Sequence, residues 1–293
     1  MASIMTNTSA MVALQSLKAT NKALEVVQGR ISTGYRVAEA SDNAAYWSIA
    51  TTMRSDNKAL SAVQDSLGLG AGKVDTAYTA MNDAIEAVDS IKTKLINARG
   101  ASGENQTKIQ AEIDILLDQI RDAALGANYA GTNVLATDST APLEIAASYN
   151  RASDGTVSIG TISLDLTGIR LVAADGTTVD ATQHLAHDIM QIDVVANGSD
   201  ASIDAYLEDV ETALGAMSTA AANLGAVKNR LDLQKDFVSN LMDSIERGVG
   251  QLVDADMNEE STRLQALQVQ QQLGIQALSI ANQNAQNILS LFK

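Results

Sequence analysis

Apolar residues recur at alternating steps of three and four along two long stretches of this chain, the spacing that gathers side chains on one seam of a helix. The first stretch runs Ile49, Met53, Asp56, Leu60, Val63, Leu67, Gly70, Val74, Ala77, Met81, Ala84, Val88, Ile91, Leu95, with Asp56 as its one charged interruption. It predicts a helix from about Ala44 to Arg99. The second runs Ile203, Leu207, Val210, Leu214, Met217, Ala221, Leu224, Lys228, Leu231, Lys235, Val238, Met242, Ile245, Val249, Leu252, broken by the two lysines. It predicts a helix of about fifty residues. At about 1.5 Å per residue each would extend roughly 75–80 Å, too long for a compact domain of this size, so the pattern predicts a rod. A shorter helix fits between Gly103 and Gly126, with Ile109, Ile113, Leu116 and Ile120 on one face.

Between about Asn128 and Gly198 the period changes to two, in Val157 and Ile159 and again in Ile162, Leu164 and Leu166. Gly155, Gly160, Gly168 and Gly176 mark turns, so this stretch predicts a small β-rich insertion. The fold class expected is mainly α: a long antiparallel coiled-coil rod built from both chain ends, interrupted in mid-sequence by the insertion. The two ends then lie together.

Those ends have an unusual pattern of their own. From Leu264 to Phe292 there is no charged residue, and none occurs before Lys18. Seam spacing recurs in Leu264, Leu267, Gln271, Gly274, Leu278, Ala281, Ala285, Ile288 and Phe292, while Val269, Leu273, Ile275, Ile280 and Leu289 add apolar residues on other faces. At the N-terminus Leu14, Leu17, Leu24 and Ile31 provide a seam together with Asn21 and Gln28. The two segments either pair only with each other or carry further neighbours. Uncharged outer faces favour the second reading, because a helix facing water ordinarily shows Lys and Glu there. The expected polymerisation interface is Ile4, Leu14, Leu17, Leu24, Ile31, Leu264, Leu267, Leu273, Leu278, Ile288, Leu289 and Phe292. Its partner is another copy of the chain, since contacts between unlike surfaces that do not close make a helical filament. A membrane span would also explain missing charge, but Gln and Asn are spread through the segment at high cost in hydrocarbon.

Composition narrows the classes. Of the 293 residues 46% are hydrophobic but only 3% aromatic, and there is one proline, Pro142, which suits long uninterrupted helices. The net charge of −15 argues against binding nucleic acid or an anionic membrane. With no cysteine, disulfides, thiolate nucleophiles and zinc–thiolate sites are excluded. The start, MASIMTNTSAMVALQSLK, lacks the basic n-region of a secretory signal peptide, so export is expected to use another route.

Three local motifs are weighed against that picture. GLGAGK, from Gly68 to Lys73, approaches a phosphate-binding loop, but Leu67 stands where the first Gly belongs, Val74 replaces Ser or Thr, and the segment lies inside a predicted helix. His184, His187 and Asp188 could share a face and hold a metal, though an exposed turn is the simpler expectation. Sequons stand at Asn105-Gln106-Thr107 and Asn197-Gly198-Ser199. No catalytic residue and no cofactor is expected, and the chain reads as a structural protein, not an enzyme.

Several ordered motifs carry a family resemblance. RISTGYRVAEASDNAAYWSIA (Arg30 to Ala50), LGAVKNRL (Leu224 to Leu231), VDADMNEES (Val253 to Ser261) and ANQNAQNILSLF (Ala281 to Phe292) resemble bacterial flagellin at both ends and in the right order. In the first, Gly34 is a sensible helix stop and Asp42 or Ser41 a sensible N-cap; in the third, Asp256 followed by Glu259 reads as a capping box. The wording SDNAAYWSIATTMRSDN is similar to flagellins of alphaproteobacteria. The resemblance implies a subunit of the extracellular flagellar filament used for swimming. It implies an inner-tube domain (1–43 with 254–293), a helical rod domain with a β-hairpin (44–140 with 188–253) and a short outer domain (141–187). It also implies partners: itself, the flagellar type III export apparatus and an export chaperone, and the filament cap and hook-junction proteins. Asp89 and Ser90 stand where the family usually has Arg and Glu in a patch read by an animal innate receptor, so weak recognition is expected. Glu39, Tyr46 and Trp47 raise the same expectation for plant receptors. A hook–filament junction protein or, from another class, a cytosolic coiled-coil scaffold would share much of this pattern.

Overall fold

The computed structural model describes residues 7–176 and 184–290, with residues 284–290 described as backbone alone. Among them are five α-helices: α1 (Thr8–Thr33), α2 (Ala44–Ala98), α3 (Gly103–Gly126), α4 (Asp200–Val253) and α5 (Met257–Ser290). Two antiparallel hairpins lie between α3 and α4, β1 (Asn128–Tyr129) with β2 (Thr132–Asn133) and β3 (Leu143–Arg151) with β4 (Val157–Leu164). The chain divides into two compact units, one joining Met1–Asn57 with Asp243–Lys293 and the other formed by Lys58–Met242. Helices α2 and α4 contribute residues to both.

In the Lys58–Met242 unit the long seams become the core. Leu67, Val74, Ala77, Met81, Val88, Ile91 and Leu95 are wholly buried on α2, as are Ile203, Val210, Met217 and Leu224 on α4. The two helices are antiparallel: Lys92 pairs with Glu211, Arg99 with Asp204 at 3.0 Å, and Lys228 with Asp75, each advance along α2 matching an equal retreat along α4. Exposed ion pairs like these add little stability but mark the register. Outside this unit the first seam shifts: Ile49 is 49% exposed and Ala50 is buried in its place, against Val37, Val249 and Val253. On α3, Leu117 is buried where Leu116 is half-buried.

The GLGAGK motif lies inside α2 and is a docking notch. A Cβ on Gly70 would come within 2.6–2.9 Å of the Ile145 side chain from β3, and one on Gly72 within 2.6–2.9 Å of the Tyr129 ring beside the β1–β2 turn. That turn has left-handed backbone at Ala130 (φ 50°) and Gly131 (φ 78°), the mirror-image turn that matches strand twist. In the second hairpin a bulge between Ala146 and Ser148 leaves Ala147 without a partner on β4, and Ile145 and Ala147 are both buried. Strand β4 shows its two period-two runs on opposite faces: Ile162 and Leu164 face inward, while Val157 and Ile159 are exposed.

Side chains of α3 hold the loop that leads into α4. Gln110 donates to Ile192 O (3.1 Å) and accepts from Val194 N (2.9 Å), and Gln106 donates to Gly198 O (3.0 Å). The turn expected at the histidines is present at 185–188, but of the three candidate residues only Asp188 is exposed. His184 is buried at 7% exposure with neither ring nitrogen hydrogen-bonded, and the Nε2 of His187 lies 2.7 Å from the Gln191 side chain. Among the described residues no group of three His, Cys, Asp or Glu is placed to hold a metal, and no helix is long and apolar enough to cross a membrane.

Candidate assembly interface

The candidate interface is the α1–α5 pair within the unit built from both ends. Helix α1 starts where the Asn7 side chain accepts from Ala10 N (3.0 Å) and stops at Gly34, whose left-handed φ of 76° lets its N–H reach Arg30 O at 2.8 Å. The chain then crosses to the other end: Arg36 N and Val37 N donate to Val253 O, and Ala255 N to Gly34 O. The α2 cap is Asn43, accepting from Ala45 N and Tyr46 N at 3.1 Å, in place of Asp42 or Ser41. Asp42 instead closes the preceding turn by accepting from Ala38 N and Glu39 N. Asp256 caps α5, accepting from Asn258 N and Glu259 N. The returning half of the capping box is replaced, because the Glu259 carboxylate accepts from Arg263 at 3.1 Å.

Four contacts set the pairing. Asn7 donates to Ala281 O (2.9 Å), a Cβ on Gly274 would lie 3.3 Å from Leu17 Cδ1, Gln271 donates to Asn21 Oδ1 (2.8 Å), and Arg30 meets Glu260 at 3.0 Å. As one number rises the other falls, so the helices are antiparallel. Leu17, Leu24, Ile31, Leu264, Leu267 and Leu278 are half-buried in this seam, with Gln271, Gly274 and Ala281. Leu14 and Leu273 are outside it, 42% and 58% exposed. Ile4 and Phe292 lie outside the described residues, as do the side chains of Ile288 and Leu289.

On α1 the seam runs through Ala10, Ala13, Leu17, Thr20, Leu24, Val27 and Ile31, so Asn21 and Gln28 are on its exposed flank and Val27 is the buried residue of the helix. A second feature that periodicity passed over is Glu260. Its side chain is 6% exposed, in the first turn of α5, 3.0 Å from Arg30 and 3.6 Å from Arg263. A buried carboxylate is tolerated there because two guanidinium groups and the positive end of the helix dipole face it. The signal that could have found it is an acid in a first helical turn with an arginine on the facing seam.

Along 8–17 of α1 and 264–283 of α5 the outer faces carry no charge and expose apolar side chains among Gln, Asn and Ser, before Lys18, Lys22 and Glu25 follow on the exposed side of α1. Met11 and Val12 are 61% and 67% exposed, and Val269, Ile275 and Ile280 all exceed half. Between them runs an open groove lined by Val12, Ala13, Ser16, Gly274, Ala277 and Ile280. Small side chains along the groove floor would let another helix approach closely. Elsewhere Asp89 and Ser90 are both exposed on α2.

The sequence model described as the bacterial flagellin N-terminal helical region matches residues 4–140, and that of the C-terminal helical region matches residues 207–292. A flagellin from Brucella melitensis is 55% identical over 298 residues and flagellin C of Rhizobium meliloti 48% over 321, both covering all of this chain and all of the relative. Among solved structures, a chain described as a flagellar hook-associated protein from Vibrio parahaemolyticus superimposes with a TM-score of 0.52 at 13% identity. It covers 73% of this chain and all of its own length, and at that identity it shares the fold alone. The two helical regions, matched in order at both ends, and the full-length relatives place this chain in the bacterial flagellin family.

Proposed function

We propose that this flagellin is a purely mechanical subunit, polymerising into the extracellular flagellar filament through α1 and α5 and catalysing nothing. The observation that carries the reading is the uncharged outer face of the α1–α5 pair along 8–17 and 264–283. Val12, Val269, Leu273, Ile275 and Ile280 stay exposed in the single chain, which is costly unless copies of the same helices cover them. The interface is Leu14, Leu17, Leu24, Ile31, Leu264, Leu267, Leu273 and Leu278, extended by Ile4, Ile288, Leu289 and Phe292. Residues 1–43 with 254–293 form the inner tube, 44–140 with 188–253 the surrounding layer, and 141–187 a short outer domain. Before assembly the partners are the flagellar export apparatus and a chaperone that covers the apolar ends; at the filament they are cap and hook-junction proteins.

Deleting residues 264–293 tests the reading. The truncated chain is expected to keep its helical far-UV circular dichroism and to lose the ability to elongate seeds. Leu278→Asp is expected to act the same way, since a charge left unpaired among packed helices costs several kcal/mol. Filaments of the truncated protein under the electron microscope would refute the assignment.

A further inference from the structure

The sequon at Asn197-Gly198-Ser199 has no part in the α1–α5 pair, and its first two residues have a chemistry of their own. Asn197-Gly198 is the one Asn-Gly pair in the chain. Glycine leaves its N–H open to the amide carbon of a preceding asparagine, because it has no side chain and turns freely about φ and ψ. Asn197 is exposed and Gly198 half-buried where the 194–197 turn leads into α4, so water reaches the pair. The glycine is required there for a separate reason. A Cβ at 198 would fall 2.6 Å from Gln106 Oε1 and 2.7 Å from Val194 O, so no other residue fits without displacing backbone. Gln106 also donates to Gly198 O at 3.0 Å. Asn197 N donates to Asp193 O (3.1 Å), and the Asn197 side chain donates to the Tyr206 hydroxyl (3.1 Å). Close packing thus sets an activating glycine behind an exposed asparagine, and Gln106 holds that glycine by its carbonyl.

We propose that Asn197 is a site of spontaneous deamidation, with water as the second reactant and Gln106 as the restraint on its rate. The Gly198 nitrogen gives its proton to solvent base and attacks Cγ of Asn197. The Cγ–Nδ2 bond breaks, and the nitrogen leaves as ammonia with a proton from water. Water then opens the five-membered succinimide. Opening at Cγ gives aspartate; opening at the main-chain carbonyl gives isoaspartate, whose backbone runs through Cβ and Cγ. Nothing is oxidised or reduced. Aspartate keeps the contact with Tyr206, the hydroxyl now donating. Isoaspartate adds a methylene to the main chain between two anchors, Asp193 O and Gln106, and loosens the 192–198 loop. Ring closure swings the Gly198 nitrogen towards Cγ, a movement that the bond from Gln106 to the Gly198 carbonyl opposes.

Full-length folded protein aged in mildly alkaline buffer made with heavy-oxygen water tests this. Peptides covering residue 197 are expected to gain a heavy oxygen, as aspartate and as isoaspartate, by mass spectrometry. Asn197→Gln is expected to gain none there, since its longer side chain closes a six-membered ring far more slowly; equal label in that variant places the oxygen elsewhere and overturns the site. Folded wild-type protein that keeps its amide, while the same chain unfolded in urea converts, also overturns it, because the fold then shields the pair. Gln106→Ala with unchanged circular dichroism is expected to convert faster by about two- to tenfold, the worth of one neutral hydrogen bond. An unchanged rate in that variant overturns the restraint assigned to Gln106.

Discussion

Gly68, Gly70 and Gly72 share one motif in α2, yet a Cβ would meet different surroundings at each. Gly68 has open space, whereas Gly70 is closed by Ile145 and Gly72 by Tyr129. A mid-helix glycine costs about 0.5–1 kcal/mol relative to alanine. Gly68→Ala is therefore expected to stabilise the protein by about that amount. Gly70→Ala is expected to destabilise it by about 1–3 kcal/mol, because Ile145 is buried and has no room to retreat. Urea unfolding of the two variants against wild type gives the signs. From sequence, the departures from a phosphate-binding loop were legible and the notch was not. Its partners Tyr129 and Ile145 are about sixty and seventy-five residues away, and nothing in local spacing brings them to α2. Val27 and Leu14 make a related case. Leu17, Leu24 and Ile31 recur every seven residues, and residues at 14, 21 and 28 or at 13, 20 and 27 complete a seam equally well. A large Leu14 favours the first register, but the partner helix selects the second.

Helices and their order were the most legible elements, because a seam sustained over fifty residues has no competing explanation. The loop from Ile192 to Gly198 was not legible, since amide side chains of α3 hold it and no periodicity records them. Gln110 satisfies the N–H of Val194, which is fully buried. Gln110→Ala leaves that donor unpaired, at about 1–3 kcal/mol. Amide hydrogen exchange should find the loop deprotected in this variant while the α2 core stays protected; unchanged loop protection would mean that another group has replaced Gln110. The β3–β4 turn supplies a pH dependence. Asp154 accepts from Thr156 N (2.9 Å) and Oγ1 (2.7 Å), and these bonds hold its carboxyl below the usual Asp range. On acidification the unfolded chain takes up this proton first. The turn's contribution is complete above the ordinary Asp pKa and is lost as pH falls through the lower folded value. Thr156→Ala is expected to return the Asp154 titration, followed by carboxyl NMR, towards the ordinary value.

Across the whole molecule, charge and stickiness are segregated. The net charge of −15 falls outside the last thirty residues except for Lys293, and the first seventeen side chains carry none. The family and the pairing of the two ends were readable from that segregation together with the ordered motifs. The seam between the ends is what a single chain buries, and Leu14 and Leu273 stay exposed on its flanks. Two like-charged copies repel over distances set by the Debye length, about 30 Å at 0.01 M salt and about 8 Å at 0.15 M. The stretches that join them, 8–17 of α1 and 264–290 of α5, have no charge for salt to screen. Elongation of seeds should therefore accelerate as salt rises from about 0.01 to 0.15 M and then level off, as measured by light scattering at fixed protein concentration. Screening of the overall repulsion dominates. A rate that falls steadily with salt would mean that ion pairs, not the uncharged ends, drive addition.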